Sequence, residues 1–410
     1  MSNRNRICLF MVVFIILGQA GISYALSLEK VFIASQVNES IVADTLAKNI
    51  VKDNKCFLYL VIKAKKDNKT IYFSEAQKIK IGGLEIIPEK PEGNFQHLDI
   101  SWYKVEPKMY HLDGHGHDPA NPGFIWYTNA GAPGGRTDRQ PLSVDKITYQ
   151  ENTLVTENNK WVISADAHPT DPEYDIHDGL GTMRYSVAIE YKDTNGAQKR
   201  LKSPSMEEYV NNGISNEVCR VTIQQNASYL GYLTGYFNVP GVFGSYPAQV
   251  DKYIGVDCAD LVVGAWNKYK KKSIPYTNVT GLRYSLVANG LMKLILADHY
   301  YDAKGIIYAD YARGLGRPVG QKAIKIDQTN VHQGDIVLFN YNPEKTDRSW
   351  DHVGVLFADS SETGKPNGIL DAYDLILHCG PAELRINQLT YEGFVSPGEV
   401  TRFAIVRWVE

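Results

Sequence analysis

The spacing of apolar residues changes once along this chain, and that change limits the fold more than any other feature. From about Leu28 to Ile223 the spacing is β-like. Phe57-Leu58-Tyr59-Leu60-Val61-Ile62 is an apolar run of buried-strand length, and Thr70-Ile71-Tyr72-Phe73 follows a Lys-Asp-Asn-Lys turn. Ile100 to Val105 and Met183 to Ile189 alternate, and Val218 to Ile223 closes the series. Further on, Leu261, Val262, Ala265, Trp266 and Tyr269 recur at helical spacing, which predicts an amphipathic helix over 259–269. Tyr284 to His299 reads as a second helix. Strands then return at Asp335–Phe339, His352–Phe357, Leu375–Cys379 and Phe403–Trp408. Helices followed by a run of strands give an α+β order.

In the first part, short strands separated by turn signals suggest one immunoglobulin-like β-sandwich, with two small β-domains as the alternative. The stretch from Met109 to Asp178 is rich in Gly, Pro, Asp and His and reads as a long insertion with a strand near Trp161-Val162-Ile163. A polar segment from Ser203 to Asn216 is a candidate connection. The 26 tyrosines, 13 phenylalanines and 34 glycines suit strands joined by turns.

The N-terminus points to export. Arg4 and Arg6 precede an apolar run from Ile7 to Leu17, and Ser23-Tyr24-Ala25 puts small residues where a signal peptidase reads them. The run falls short of the ~20 residues a spanning helix needs. Residues 1–25 are thus expected to be a signal peptide, with a β-region over 26–222 and an α+β domain over 223–410. The mature chain would be periplasmic or extracellular, with no stable membrane insertion after cleavage. Cys8 lies inside the apolar run, which argues against a lipid anchor. Losing two of the 43 basic side chains leaves 41 against 46 acidic ones, a balance of −5 that excludes nucleic acid as the main partner.

Four cysteines remain: Cys56, Cys219, Cys258 and Cys379. No CxxC pair occurs, so a zinc ribbon is excluded. Cys258 lies in Gly255-Val256-Asp257-Cys258-Ala259-Asp260, where the helical pattern begins. A thiol at a helix N-terminus meets unpaired N–H groups that favour its thiolate and can receive an oxyanion. Asp257 and Asp260 oppose the thiolate by like charge, so a basic partner is required. His352 opens a strand in which alternation puts Gly354 and Leu356 on its own face, and Gly354 would leave room for a helix end or a substrate. A neutral imidazole there can take the thiol proton and later protonate a leaving amine. His378 is the best candidate for orienting that imidazole, with Asp371 and Asp374 as competitors. Period-two geometry turns Cys379 away from His378, which leaves Cys56–Cys219 as the plausible disulfide.

A cysteine opening a helix, a Gly334-Asp335-Ile336-Val337-Leu338-Phe339 strand, a His352-Val353-Gly354 strand and a strand bearing His378 together resemble the NlpC family of cell-wall cysteine peptidases. The resemblance covers roughly residues 226–410. It implies a papain-like α+β core and cleavage of peptidoglycan stem peptides, often between D-glutamate and a diamino acid. It makes Cys258 the nucleophile, His352 the base and His378 the orienting residue, with no cofactor. The family's aromatic-Gly element looks like Val242-Phe243-Gly244-Ser245, and its tyrosine corresponds to Tyr246 or Tyr236. Ala259-Asp260 departs from the family's Ser-Gly. The Cys258–His352 interval and the loop from Asp359 to Asp374 are longer than in compact members, which leaves the substrate open.

His111, His115 and His117, with Asp113 and Asp118, could supply metal ligands, but the interspersed glycines and Pro119 describe a solvated loop. His168, Asp171 and His177 form a looser set. Besides the hydrolase, two other readings fit these residues: an acyltransferase or crosslinking enzyme on the same core, and a non-catalytic wall-binding protein.

Overall fold

A computed structural model describes residues 26–92, 95, 98–107, 109–110, 123–124, 127–128, 149–193, 195–205, 209–210, 213–327, 329–344, 348–379, 384–390 and 400–410. The expected signal peptide and the His111–His117 loop lie outside them. Among the described residues, no helix is long and apolar enough to cross a membrane.

The first half forms two sheets around one core. In one sheet the strands run in the order Val162–Ser164, Cys56–Lys66, Ser27–Val37, Val42–Asp44, Lys78–Ile81, Leu84–Ile86. In the other the order is Tyr149–Thr153, Leu98–Pro107, Gly181–Lys192, Cys219–Gln224, Lys48–Val51. Alternation puts Leu58, Leu60 and Ile62 inward to meet Trp102, Met183, Val187 and Val221 of the opposite sheet. Trp102, a large apolar ring with one polar atom, donates its indole N–H to the Lys160 carbonyl at 2.8 Å. Cys56 and Cys219 share this core, but both are free thiols, pushed up to about 12 chiefly by burial. The expected disulfide is therefore not formed.

In the second half, one antiparallel sheet runs Arg317–Gln321, Ile307–Ala312, Met292–Asp302, Val400–Trp408, Ile336–Asn340, His352–Ala358, Leu375–Cys379, Leu384–Gln388. Val353, Val355, Leu377 and Val406 face the Cys258–Lys270 helix, while Leu356, Ile376, Phe403 and Ile405 face the opposite way. That second face is covered by connecting segments carrying Ile324, Val331, Leu370 and Leu389. The long loop from Asp359 to Asp374 contributes Leu370 to that covering. The extra length between Cys258 and His352 holds the three strands that widen the sheet beyond Val400–Trp408.

Two helical expectations need correction. The Cys258 helix is not amphipathic, because every residue from Ala259 to Trp266 is buried, packed between the sheet and its neighbours. The predicted helix over 284–299 ends early. The chain is helical from Val279, turns at Asn289-Gly290 with Gly290 at φ +68°, and continues as the Met292–Asp302 strand. A left-handed glycine stops a helix, and Tyr300 and Tyr301 then pair with Arg402 and Thr401 instead of continuing it.

The halves lock together through buried polar contacts. Arg184 donates to the carbonyls of Tyr253 at 2.8 Å and Lys252 at 3.2 Å, and Thr182 N–H donates to Phe237 O at 2.8 Å. Gly181 lies at φ +120°, and a Cβ there would fall 2.5 Å from Phe237 O. Replacing Arg184 by Met leaves the buried Tyr253 carbonyl without this donor, a cost of about 1–3 kcal/mol. Urea melts of Arg184→Met should therefore lose about 1–3 kcal/mol, with faster hydrogen exchange around Gly181. A wild-type midpoint would show the contact to be idle.

Candidate functional site

The Cys258 helix starts where local hydrogen bonds force it to start. Asp257 is extended (φ −107°, ψ 178°), and its carboxylate accepts from Asp260 N–H at 2.8 Å, the N-cap bond expected of Asp. Its other oxygen accepts from Gly244 N–H at 3.2 Å. Ser245 Oγ accepts from Asp257 N–H at 3.1 Å and donates to Asp260 Oδ2 at 2.8 Å. The Gly244-Ser245 turn is thereby stitched to the first turn of the helix, and Cys258 becomes its first residue. Lys268 and Lys270 complement the carboxyl end.

The sheet carries both histidines, on the face that also bears Phe339, Leu356 and Ile376. His352 begins its strand, and Val353 beside it presents its N–H to the Cys258 sulfur, as does Ala259. The His352 ring lies against Phe339, 6.0 Å between centroids. Its Nε2 is 3.1 Å from Nδ1 of His378, the two rings standing almost perpendicular at 89°. His378 Nε2 in turn lies 2.8 Å from Oδ1 of Asn387. Gly354 sits directly across from His378 in the ladder. The space it leaves is filled by that neighbouring strand, not by a helix end or a substrate: a Cβ there would come within 2.3 Å of Ile376 Cγ2 and 3.3 Å of His378 Cβ.

Of the three groups weighed as orienting residue, only His378 reaches His352. Asp374 accepts from Ser360 N–H and Asp371 N–H, while Asp371 accepts from Tyr373 N–H and Asn367, so both carboxylates close their own loop. Cys379 points into the core on the other face, its thiol donating to Val256 O at 3.3 Å. The two tyrosines also separate. Tyr236 is fully buried with its hydroxyl on Val250 O, whereas Tyr246, next to Ser245, is 46% exposed. His168 pairs with Asp175 at 2.7 Å and His177 stacks on Phe237, so the looser His/Asp set is dispersed. Among the described residues, no cluster of three or more metal-ligating side chains is found. Two members of the site escaped the sequence reading. Asn387 has no motif around it, and its signal was the alternation of a strand pairing with the His378 strand. Ser245 was visible only as part of an aromatic-Gly element.

Burial dominates the electrostatics. It raises the Cys258 thiol above its ordinary value, and the Asp257 charge adds to the effect, whereas the Val353 and Ala259 N–H groups pull the other way. Burial thus works against the thiolate that a helix N-terminus favours. Burial also raises Asp260, with the neighbouring Asp257 charge adding to it. His352 is pushed well below its usual range by burial and then by His378. His378 is lowered to about 4 by burial, with the Asn387 hydrogen bond opposing and the Arg385 charge assisting. Burial thus favours the neutral form of the Cys258 thiol and of both imidazoles, while the group that meets the sulfur from the His352 strand is the Val353 N–H.

These shifts imply a pH-dependent stability. The unfolded chain protonates His378 near 6.5, while the folded chain resists to about 4. Protons thus favour unfolding as pH falls through that window, by up to about 1.4 kcal/mol per pH unit. Wild-type protein should lose more stability between pH 6.5 and 4 than His378→Gln, measured by urea melts. Equal losses would mean that His378 titrates normally.

Set against known proteins, the chain matches no family model, no curated protein and no solved structure.

Proposed function

We propose that the protein is an exported cysteine hydrolase that cleaves an amide bond in a peptidoglycan stem peptide, with Cys258 as nucleophile, His352 as base and His378 as orienting residue. One observation carries this reading: the His352–His378–Asn387 chain of hydrogen bonds ends at the strand whose Val353 N–H meets the Cys258 sulfur at a helix N-terminus. The thiol proton passes to His352 as sulfur attacks the carbonyl carbon, and the carbonyl electron pair moves onto oxygen, where helix N-terminal N–H groups can receive it. Collapse breaks the C–N bond, and His352 returns the proton to the leaving amine. Water, deprotonated by the same imidazole, then hydrolyses the thioester. Because burial raises the thiol, proton transfer and attack are coupled in this reading.

The resemblance to NlpC peptidases supplies the substrate class, a bond of the D-glutamyl–diamino acid type in a wall peptide. A papain-like domain following an immunoglobulin-like one belongs to the same proposal. The first half contributes to the site's rim: Tyr127–Thr128 of its insertion pairs in parallel with Val242–Phe243, just ahead of Gly244-Ser245. Exposed Tyr246 lies on that rim and is the tyrosine we assign to substrate contact.

Cys258→Ala should reduce peptide release from purified peptidoglycan by at least about 10³-fold with the fold intact. Unchanged release would end the assignment. The competing reading, a wall-binding module on an inert core, has the raised Cys258 thiol in its favour. Iodoacetamide separates the two. If the core is inert, wild type and His352→Ala alkylate Cys258 at the same slow rate near neutral pH, whereas a working base makes the wild type faster.

A further inference from the structure

We propose that a cleft where the two halves meet, remote from Cys258, binds the carboxylate end of a short peptide through Lys271, Asn49, Asn54 and Gln224. The site goes beyond the hydrolase reading and does not depend on it. The cavity measures about 500 Å³, a size that suits a small molecule. The first half contributes Asn49, Ile50 and Val51 of one strand, with Gln224 at the end of its parallel neighbour. The second half contributes Tyr232, Lys268 and Lys271, the last as C-cap of the Cys258–Lys270 helix. At about 1.5 Å per residue along that helix, the cleft lies roughly 15–20 Å from the nucleophile. Its walls are pinned in place. Val51 pairs with Gln224 in the ladder, and Lys52 N–H donates to Gln224 O at 2.9 Å. Asn267 accepts from Ile274 N–H at 2.8 Å and donates to Ile274 O at 2.9 Å.

Several polar groups lining this cleft lack partners. Gln224 is buried, and its Nε2 donates to Asn226 O at 2.9 Å, which fixes the amide and leaves Oε1 as an acceptor. A guanidinium only donates, so the bond from Arg220 to Asn49 Oδ1 at 2.9 Å leaves the Asn49 NH₂ as a donor. Among the described residues, the Asn54 amide, the Tyr232 hydroxyl and the Lys271 ammonium have no hydrogen-bond partner. Lys268 donates to Asp251 O at 2.8 Å, yet burial lowers its ammonium to about 8, with Asp251 opposing and Arg220 assisting. No acidic side chain lines the cleft among the described residues, so an anion there would favour both charged lysines. The unmet groups are therefore donors around a positive centre, with one acceptor beside them. A peptide's terminal carboxylate and the amide N–H next to it match that set. The oxygens meet Lys271, Asn49 and Asn54, and the N–H meets Gln224 Oε1. A bare inorganic anion would set its lone pairs against Gln224 Oε1, and a cation would be repelled by the lysines. Ile50, Val51 and Ala227 offer apolar surface to a small side chain.

The test is a ligand-observed NMR titration of wild type, Lys271→Asn and Asn54→Ala. The probes are N-acetyl-alanyl-alanine, in its L,L and D,D forms, and the same dipeptides with a carboxyl-terminal amide. Lys271 lies at φ 52°, a left-handed position that Asn tolerates, so Lys271→Asn removes the charge without adding backbone strain. Wild type should bind one form of the free acid with a Kd on the order of 1 mM, and its amide about 5-fold or more weakly. Lys271→Asn should bind the acid no better than the amide, and added salt should weaken only the acid's binding to wild type. Asn54→Ala should also weaken the acid. Acetate should bind less well than the dipeptide acid, and equal affinity would overturn the peptide assignment. Failure of both acids to bind overturns the site, as does equal binding of acid and amide, or wild-type affinity in Lys271→Asn. If Lys271→Asn does not fold, Asn54→Ala and the ratio of acid to amide affinity decide. Cys258→Ala should bind the acid as wild type does, so failure here and failure of the hydrolase reading are read separately.

Discussion

The register between the His352 and His378 strands is the constraint on which the site depends. Gly354 lies opposite His378, and the missing side chain lets Ile376 and His378 occupy the space beside it. With that approach, the two rings meet at 3.1 Å, and Asn387 on the next strand completes the line. A strand slipped by one residue would turn His352 to the helix face and Val353 to the other core, so burial of both faces of this sheet protects the register. The hydrophobic cores above and below the sheet therefore do chemical as well as structural duty. They make any other alignment of the histidines too costly to form.

The same burial decides where the protons rest. A helix N-terminus ordinarily favours a thiolate, and two N–H groups do reach the Cys258 sulfur. Yet the sulfur is crowded by the core and flanked by Asp257, and both effects favour the thiol. Asp257 is no accident of sequence, because it caps the helix and ties down Gly244. One residue thus fixes the helix start that carries Cys258 and opposes ionisation of its thiol. Burial pushes the His352 and His378 rings towards their neutral forms as well.

Much of this arrangement could be read from the sequence because it rests on local patterns. The helix beginning at Cys258, the strand beginning at His352 and the strand ending at Cys379 agree with period and turn signals to within a residue or two. Leu356 and Val353 fall on opposite faces as alternation requires. The failures occurred where a distant partner decides. Residues 292–299 carry an apolar pattern that suits a helix, but Gly290 ends the helical turn and the Val400–Trp408 strand captures the segment beyond it. Helix amphipathicity was overestimated because the surfaces covering 259–266 come from several segments, including Val250 and the Trp408 ring stacked on Trp266 at 4.8 Å. Asn387 and Arg184 were silent, since an isolated polar residue in a strand shows its partner only once the sheet is assembled.

The join between the two halves bears on the site as directly as the sheet does. His177 of the first half stacks on Phe237 at 3.5 Å and hydrogen-bonds to the Leu384 backbone, at the start of the strand that carries Asn387. That strand forms the sheet's edge among the described residues, and an edge strand with one neighbour is the easiest part of a sheet to displace. The His177 contacts and the Arg184 anchor on the segment just before Cys258 join the first half to both the Asn387 strand and the Cys258 helix. A first half that served only to tether the chain would need neither contact. Its placement argues that the first half is part of the framework that holds the Cys258 helix and the Asn387 strand in place.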